Sequence, residues 1–216
     1  MADLATLRAR MVERQLRRRG IDDERVLAAM GEVPREAFVP RDLRPRAYAD
    51  SALPLAAGQT ISQPWIVAAI CQAMALNGSE RVLEVGTGSG YSACVLSLLA
   101  AEVVSVERHR ELALSAREAL ASLAVTNVEL SIGDGSLGVP ARAPFEAIAV
   151  HAAAPQPPPT LISQLAPGGR LAIPIATDGE TDLLTVLRRR GEEIEAETIS
   201  PCRFVPLVGE AGYQGP

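Results

Sequence analysis

Three observations predict an α/β fold with a mostly parallel central sheet, helices on both faces and an antiparallel C-terminal edge. From Glu80 onward, short apolar runs of strand length alternate with runs of helix length. That alternation marks βαβ units, whose parallel strands are buried on both faces and so read as near-continuous hydrophobics. A glycine-rich turn, Gly86-Thr87-Gly88-Ser89-Gly90, sits between the first such strand and its helix, where a Rossmann-like fold receives a ligand. After Thr181 only strand-like pieces remain, without intervening helices, and strands joined directly pair antiparallel.

Along the chain, Leu4, Leu7 and Met11 recur at helical spacing in a segment that stops at Gly20. Asp22 is the expected cap of a short second helix carrying Val26, Leu27 and Met30 and ending at Gly31. Prolines at 34, 40, 45 and 54 then enforce an extended connection. Its Phe38, Val39, Tyr48, Leu53 and Leu55 suit it to packing on the main body. Pro64 is expected to start a helix through the apolar run 65–76, since proline suits the first helical position. A helix apolar on most sides is buried. Strands are predicted at 81–85, 103–106, 128–132, 147–150 and 170–175, with helices at 91–100, 110–123 and 160–165 between them. Residues 183–187, 193–199 and 204–208 are the expected edge strands, and Gly212 to Pro216 are expected to be disordered. One domain follows: residues 1–76 form a helical and irregular cover, and 77–216 the Rossmann-like core.

Composition narrows the function. With 216 residues and 48% hydrophobic content a sizeable core is available, but at 3% aromatic it must be built from Leu, Val, Ile and Ala. A net charge of −5 opposes a nucleic-acid or anionic-membrane partner; the run Arg17-Arg18-Arg19 is read as a solvated helix face. All 21 basic residues are arginine, which excludes lysine Schiff-base or general-base chemistry. Cys71, Cys94 and Cys202 are too scattered for a metal site and are expected to be reduced thiols. The N-terminus opens with an acid and lacks a signal-like apolar region, and no apolar run is long enough to span a bilayer. A cytoplasmic monomer without a metal is the expectation.

The glycine turn decides the ligand class. Its spacing is GxGxG, and Glu84 stands just upstream. A carboxylate there would repel a pyrophosphate but not a cationic sulfonium cofactor bearing an ammonium group. Glu107 ends the next strand, 21 residues after Gly86, where an acid accepts the ribose hydroxyls of an adenosine. Asp134 follows the third strand within Gly133-Asp134-Gly135, placed to accept from an adenine amino group while Gly135 leaves room for the ring. Three acids and a glycine loop at successive strand ends form one crevice, and the ligand they select is S-adenosyl-L-methionine.

Over essentially its whole length the chain resembles the protein-L-isoaspartate O-methyltransferases. The resemblance rests on Met11-Val12-Glu13-Arg14-Gln15-Leu16, on Val33-Pro34-Arg35-Glu36-Ala37-Phe38-Val39-Pro40 and on Ala47-Tyr48-Ala49-Asp50. Gly58-Gln59-Thr60-Ile61-Ser62-Gln63-Pro64, Ala152-Ala153-Ala154-Pro155 and Phe204-Val205-Pro206-Leu207 carry it further. It implies methyl transfer to the free carboxylate of L-isoaspartyl residues in damaged proteins and peptides. It also implies that Ser62 is the active-site serine, flanked by Thr60 and Ile61 near the cofactor. A carboxylate ionised at pH 7 needs no general base, so the serine would orient it rather than attack. A cap for the helix after Pro64 is the competing role for Ser62. The sequence departs from the family at Ala56-Ala57, His151 and Trp65. The departures at Ala56-Ala57 and His151 keep open a same-fold enzyme esterifying a dedicated aspartate of a peptide natural product. A catalytically silent cofactor-binding module is a third reading.

Overall fold

The computed structural model describes residues 3–214. Helix α1 (Leu4–Met11) runs on through a wide turn at Val12–Leu16 and a tight one at Arg17–Arg19, until Gly20 at φ +89° stops it. Asp23, not Asp22, caps α2 (Glu24–Glu32), accepting from the Arg25 and Val26 N–H groups. Gln72 Oε1 accepts from the Asp22 and Asp23 N–H groups at 2.8 and 3.0 Å, which ties this turn to the main body. Tight turns at Arg35–Phe38 and Arg41–Arg46 lead into β1 (Leu53–Pro54), which pairs antiparallel with β2 (Thr60–Ile61). That small ribbon delivers residues 60–62 to the start of α3 (Pro64–Met74), whose first residue is the expected proline.

The core continues as β3 (Arg81–Val85), α4 (Tyr91–Ser97), β4 (Glu102–Glu107), α5 (Arg110–Ser122), β5 (Val128–Ile132) and β6 (Phe145–Val150). Then come α6 (Pro159–Ile162), β7 (Leu165–Ala176), β8 (Asp182–Arg190) and β9 (Glu193–Cys202). The seven strands lie in the order β5-β4-β3-β6-β7-β8-β9. Pairings from β5 to β7 are parallel, and β8 and β9 are antiparallel. The order reverses at β3, with β4 on one side and β6 on the other, so the ligand crevice belongs at the C-terminal ends of these strands.

Residues 204–208 make no edge strand. Pro206 has no N–H for a ladder, and the segment crosses back instead to the turn after β6. There Ala153 N–H donates to Val205 and Leu207 N–H to Ala153. Gly212 and Tyr213 are tied by backbone hydrogen bonds to Gly209 and Leu207, contrary to the expected disorder; residues 215–216 lie outside the described part.

Strand alternation sorts the core. Val82, Val103, Ala147, Ala172 and Val186 face one side, packed under α3, α4 and Leu120 of α5 together with Met11, Met30 and Phe38 of the cover. Leu83, Val104, Ile148, Val150 and Leu171 face the other, packed against Leu161 of α6 and Leu207. The second face is roofed by a single helical turn and irregular chain, more thinly than helices on both faces would suggest.

Candidate active site

The glycine turn has its shape because the backbone enters the left-handed region three times, at Gly86 (φ +89°), Gly88 (φ +55°) and Gly90 (φ +89°). Glycine alone does so at no steric cost. Gly86 N–H donates to the Val106 carbonyl at 2.9 Å, and Gly88 N–H to Glu107 Oε2 at 2.8 Å. Glu107 Oε1 accepts from His109 N–H at 2.8 Å. One carboxylate at the end of β4 thus clamps two loops, and each oxygen keeps lone-pair capacity for further donors.

Beneath the turn runs a buried polar chain. Ser105 donates its one hydroxyl proton to Glu84 Oε2 at 2.6 Å, so the Thr87 hydroxyl, 2.5 Å away, donates to Ser105. Among the described residues the buried Glu84 Oε1 has no hydrogen-bond partner; His151 Nε2 lies 3.5 Å away, itself 2.8 Å from the Ser92 hydroxyl. Glu84 therefore supports the turn from below and does not line the cleft.

The cleft itself opens at the C-terminal ends of β3 and β4. Of the residues singled out from sequence, Thr60, Ile61, Ser62, Gly86, Thr87, Gly88, Ser89, Glu107 and Gly135 line it. A Cβ on Gly135 would come 2.6 Å from Val85 Cγ1, so only glycine fits this wall. Ser62 sits in the cleft just before α3, whose N-cap is Gln63 with no side-chain cap bond, so the serine is not a helix cap. Gly90 serves as the left-handed N-cap of α4, outside the lining.

Asp134 is not itself among the lining residues, though its neighbour Gly135 is. Its Oδ1 accepts from the Ser136 N–H at 2.9 Å and hydroxyl at 2.7 Å, and its Oδ2 from Glu210 N–H at 2.7 Å. Burial pushes the Asp134 carboxyl up, but the Glu210 and Ser136 donors outweigh it and hold the carboxyl below its usual range. Gly-Asp-Gly-Ser is an Asx-type cap of its own turn, and the C-terminal segment passes within reach. Several lining residues were not identified from sequence. Arg108 and His109 line the cleft simply because they follow Glu107, and Val208 because the C-terminal segment folds over it. His151, noted only as a departure, lines it too.

A family model described as protein-L-isoaspartate(D-aspartate) O-methyltransferase matches residues 7–212. The chain belongs to that family. A protein-L-isoaspartate O-methyltransferase of Herpetosiphon aurantiacus is 51% identical over 207 residues, covering 96% of this chain and 92% of the relative. One from Methylorubrum populi is 51% identical over 215 residues, covering 100% of both. Among solved structures, a protein-L-isoaspartate O-methyltransferase superposes with a TM-score of 0.84 at 29% identity, covering 95% of this chain and 67% of the other. A Plasmodium falciparum protein described as a beta-aspartate methyltransferase, in complex with S-adenosyl-L-homocysteine, gives 0.78 at 26% identity, covering 92% of this chain and 96% of the other. The fold of this isoaspartate methyltransferase family member is therefore the Rossmann-like methyltransferase fold, as its sequence pattern predicted.

Proposed function

We propose that this protein esterifies the free carboxylate of L-isoaspartyl residues in damaged proteins and peptides, using S-adenosyl-L-methionine. The observation that carries the reading is one cleft bounded by the Glu107-clamped glycine turn on one side and Ser62 on the other. The chemistry of the donor set fits the cofactor. Glu107 presents acceptors for two ribose hydroxyls, Gly135 lies flush against Val85 in the cleft wall, and Glu84 keeps a buried acceptor without a partner among the described residues beneath the turn.

When bound, the cofactor supplies a methyl carbon made electrophilic by its sulfonium sulfur. Thr60, Ile61 and Ser62 hold the cleft wall where an incoming carboxylate meets that methyl. The Ser62 hydroxyl would donate to one carboxylate oxygen and so leave the other free to accept the methyl group. No side chain has to take a proton, because the carboxylate arrives ionised and leaves as an ester. The remaining contribution is exclusion of water by the segment 205–208 over the cleft, which strengthens every electrostatic contact inside. No helix among the described residues is long and apolar enough to cross a membrane. A cytoplasmic monomer acting on many damaged chains completes the proposal, without a nucleic-acid partner.

The test uses methyl-labelled cofactor and paired peptides differing only in aspartyl versus isoaspartyl linkage. Base-labile label is expected on the isoaspartyl member alone. Label on neither peptide, with cofactor binding intact, would sink the reading.

A further inference from the structure

Arg35 is fully buried, at 0% exposure, behind the wall of the cleft. Its Nε donates to the Ala47 carbonyl at 2.8 Å and its Nη2 to the Ser62 carbonyl at 2.7 Å. The guanidinium carbon lies 4.8 Å from the centroid of the Tyr91 ring. Ser62 and Tyr91 both line the cleft, so the cation stands one residue's thickness behind it.

What the guanidinium lacks is a counter-charge. Among the described residues no carboxylate oxygen comes within 4.0 Å of it, and Nη1 is buried with no acceptor at all. The partly exposed arginines show the contrast: Arg81 pairs with Glu102, Arg142 with Glu102 and Glu129, and Arg188 with Glu197. A buried, unpaired charge is among the costliest features a fold can hold. Desolvation pushes the Arg35 pKa down, opposed by Tyr91 and Tyr48, and a guanidinium is not deprotonated in a folded protein. The two carbonyls and the tyrosine face soften the cost without cancelling the charge.

A fixed cation in a low-dielectric wall projects a positive potential into the space before it. The reacting group proposed for that space is a carboxylate. We propose that Arg35 is the positioning and selectivity residue of the substrate subsite: it fixes the Ser62 segment through its carbonyl, and its uncompensated charge makes the cleft prefer a carboxylate over a neutral group of the same shape. The inference rests on the isoaspartyl reading, because that reading supplies the anion. A merely structural staple would hold the same loop but would not distinguish the charge of what enters.

The discriminating experiment compares two peptides identical except that one carries the isoaspartyl α-carboxylate and the other its primary amide. Their inhibition constants are measured by competition against labelled substrate for the wild type, Arg35→Gln and Arg35→Lys. The wild type is expected to bind the carboxylate peptide about tenfold tighter than the amide. Arg35→Gln, which keeps a donor but no charge, should bring the two within about twofold, with S-adenosylhomocysteine affinity held within about threefold. Arg35→Lys should recover most of the preference while kcat stays low, since a lysine cannot reach both carbonyls as a planar fork does. If Arg35→Gln does not fold, the lysine variant decides: a retained preference with lowered kcat supports the role, and a lost preference overturns it. An unchanged ratio in Arg35→Gln, or equal weakening of both peptides, also overturns it. Labelling of the isoaspartyl peptide by the wild type is followed in the same reactions. Absent labelling marks failure of the function reading, whereas labelling with equal affinity for both peptides removes Arg35 alone.

Discussion

At the residue scale the cleft divides into groups that hold the cofactor and groups that present the substrate, and the two should separate in measurements. Glu107 is fixed by the Gly88 and His109 N–H groups, so its oxygens are pre-oriented toward two ribose hydroxyls. Charge-assisted hydrogen bonds contribute roughly 1.5–3 kcal/mol each. Glu107→Ala should therefore weaken cofactor binding about a hundredfold or more by isothermal titration, and an unchanged affinity would remove it from the site. Ser62→Ala should behave oppositely, lowering kcat roughly 10- to 100-fold through lost alignment with cofactor affinity nearly intact. A parallel loss of both would make Ser62 a cofactor residue only. Glu107, Ser62 and the glycines were legible in the sequence because strand ends and turns fix where such residues point. Glu84 was legible only as an acid near the cofactor. One residue of strand alternation decides whether it enters the cleft or lies beneath the turn, and spacing alone does not say which. Arg35 gave no such signal, since burial of a charge depends on the cover that closes over it.

At the element scale the sheet was read closely, and the irregular chain was not. The strands β3 at 81–85 and β5 at 128–132 coincide with their predicted spans, because buried parallel strands are marked by composition alone. Residues 204–208 carry the same apolar composition but form a strap over the cleft, a tertiary choice made through Asp134 and Ser136. The Ala211 N–H donates to the Ser136 hydroxyl at 3.0 Å beside the Asp134–Glu210 bond. Asp134→Ala should release this latch: amide exchange at Glu210 and Ala211 should rise, with β3 and β4 unaffected. The folded pKa of Asp134 lies below its ordinary value. The latch's stabilisation is thus fully present above the unfolded pKa of about 3.9 and is lost as pH falls through the lower folded value. A difference in stability between wild type and Asp134→Ala that persists well below that range would contradict the assignment. The turn makes a separate demand. A Cβ on Gly90 would meet Ala116 Cβ at 3.2 Å on top of the φ strain, whereas Gly88 meets nothing within 4 Å. Gly90→Ala should accordingly cost more stability in urea melts than Gly88→Ala, for which about 1–2 kcal/mol of left-handed strain is expected.

At the scale of the whole molecule, the cover has no core of its own. Met11, Leu16, Met30 and Phe38 belong to the same buried cluster as Val82, Val103, Ala147 and Val186 of the sheet, and Arg25 reaches the Leu76 and Leu99 carbonyls. Residues 1–76 therefore have nothing to fold around alone, and thermal unfolding should be one cooperative transition. Because the cleft is walled by both parts, a ligand bound there should move that whole transition. S-adenosylhomocysteine at about 100 times its Kd adds roughly 2.7 kcal/mol, which for a chain of this size corresponds to about 5–10 °C in Tm. The shift should persist in Ser62→Ala and nearly vanish in Glu107→Ala at the same ligand concentration. Two transitions, the lower one insensitive to ligand, would show that the cover folds and unfolds independently. The strap and the Arg35 wall would then have to close over a cleft that already stands without them.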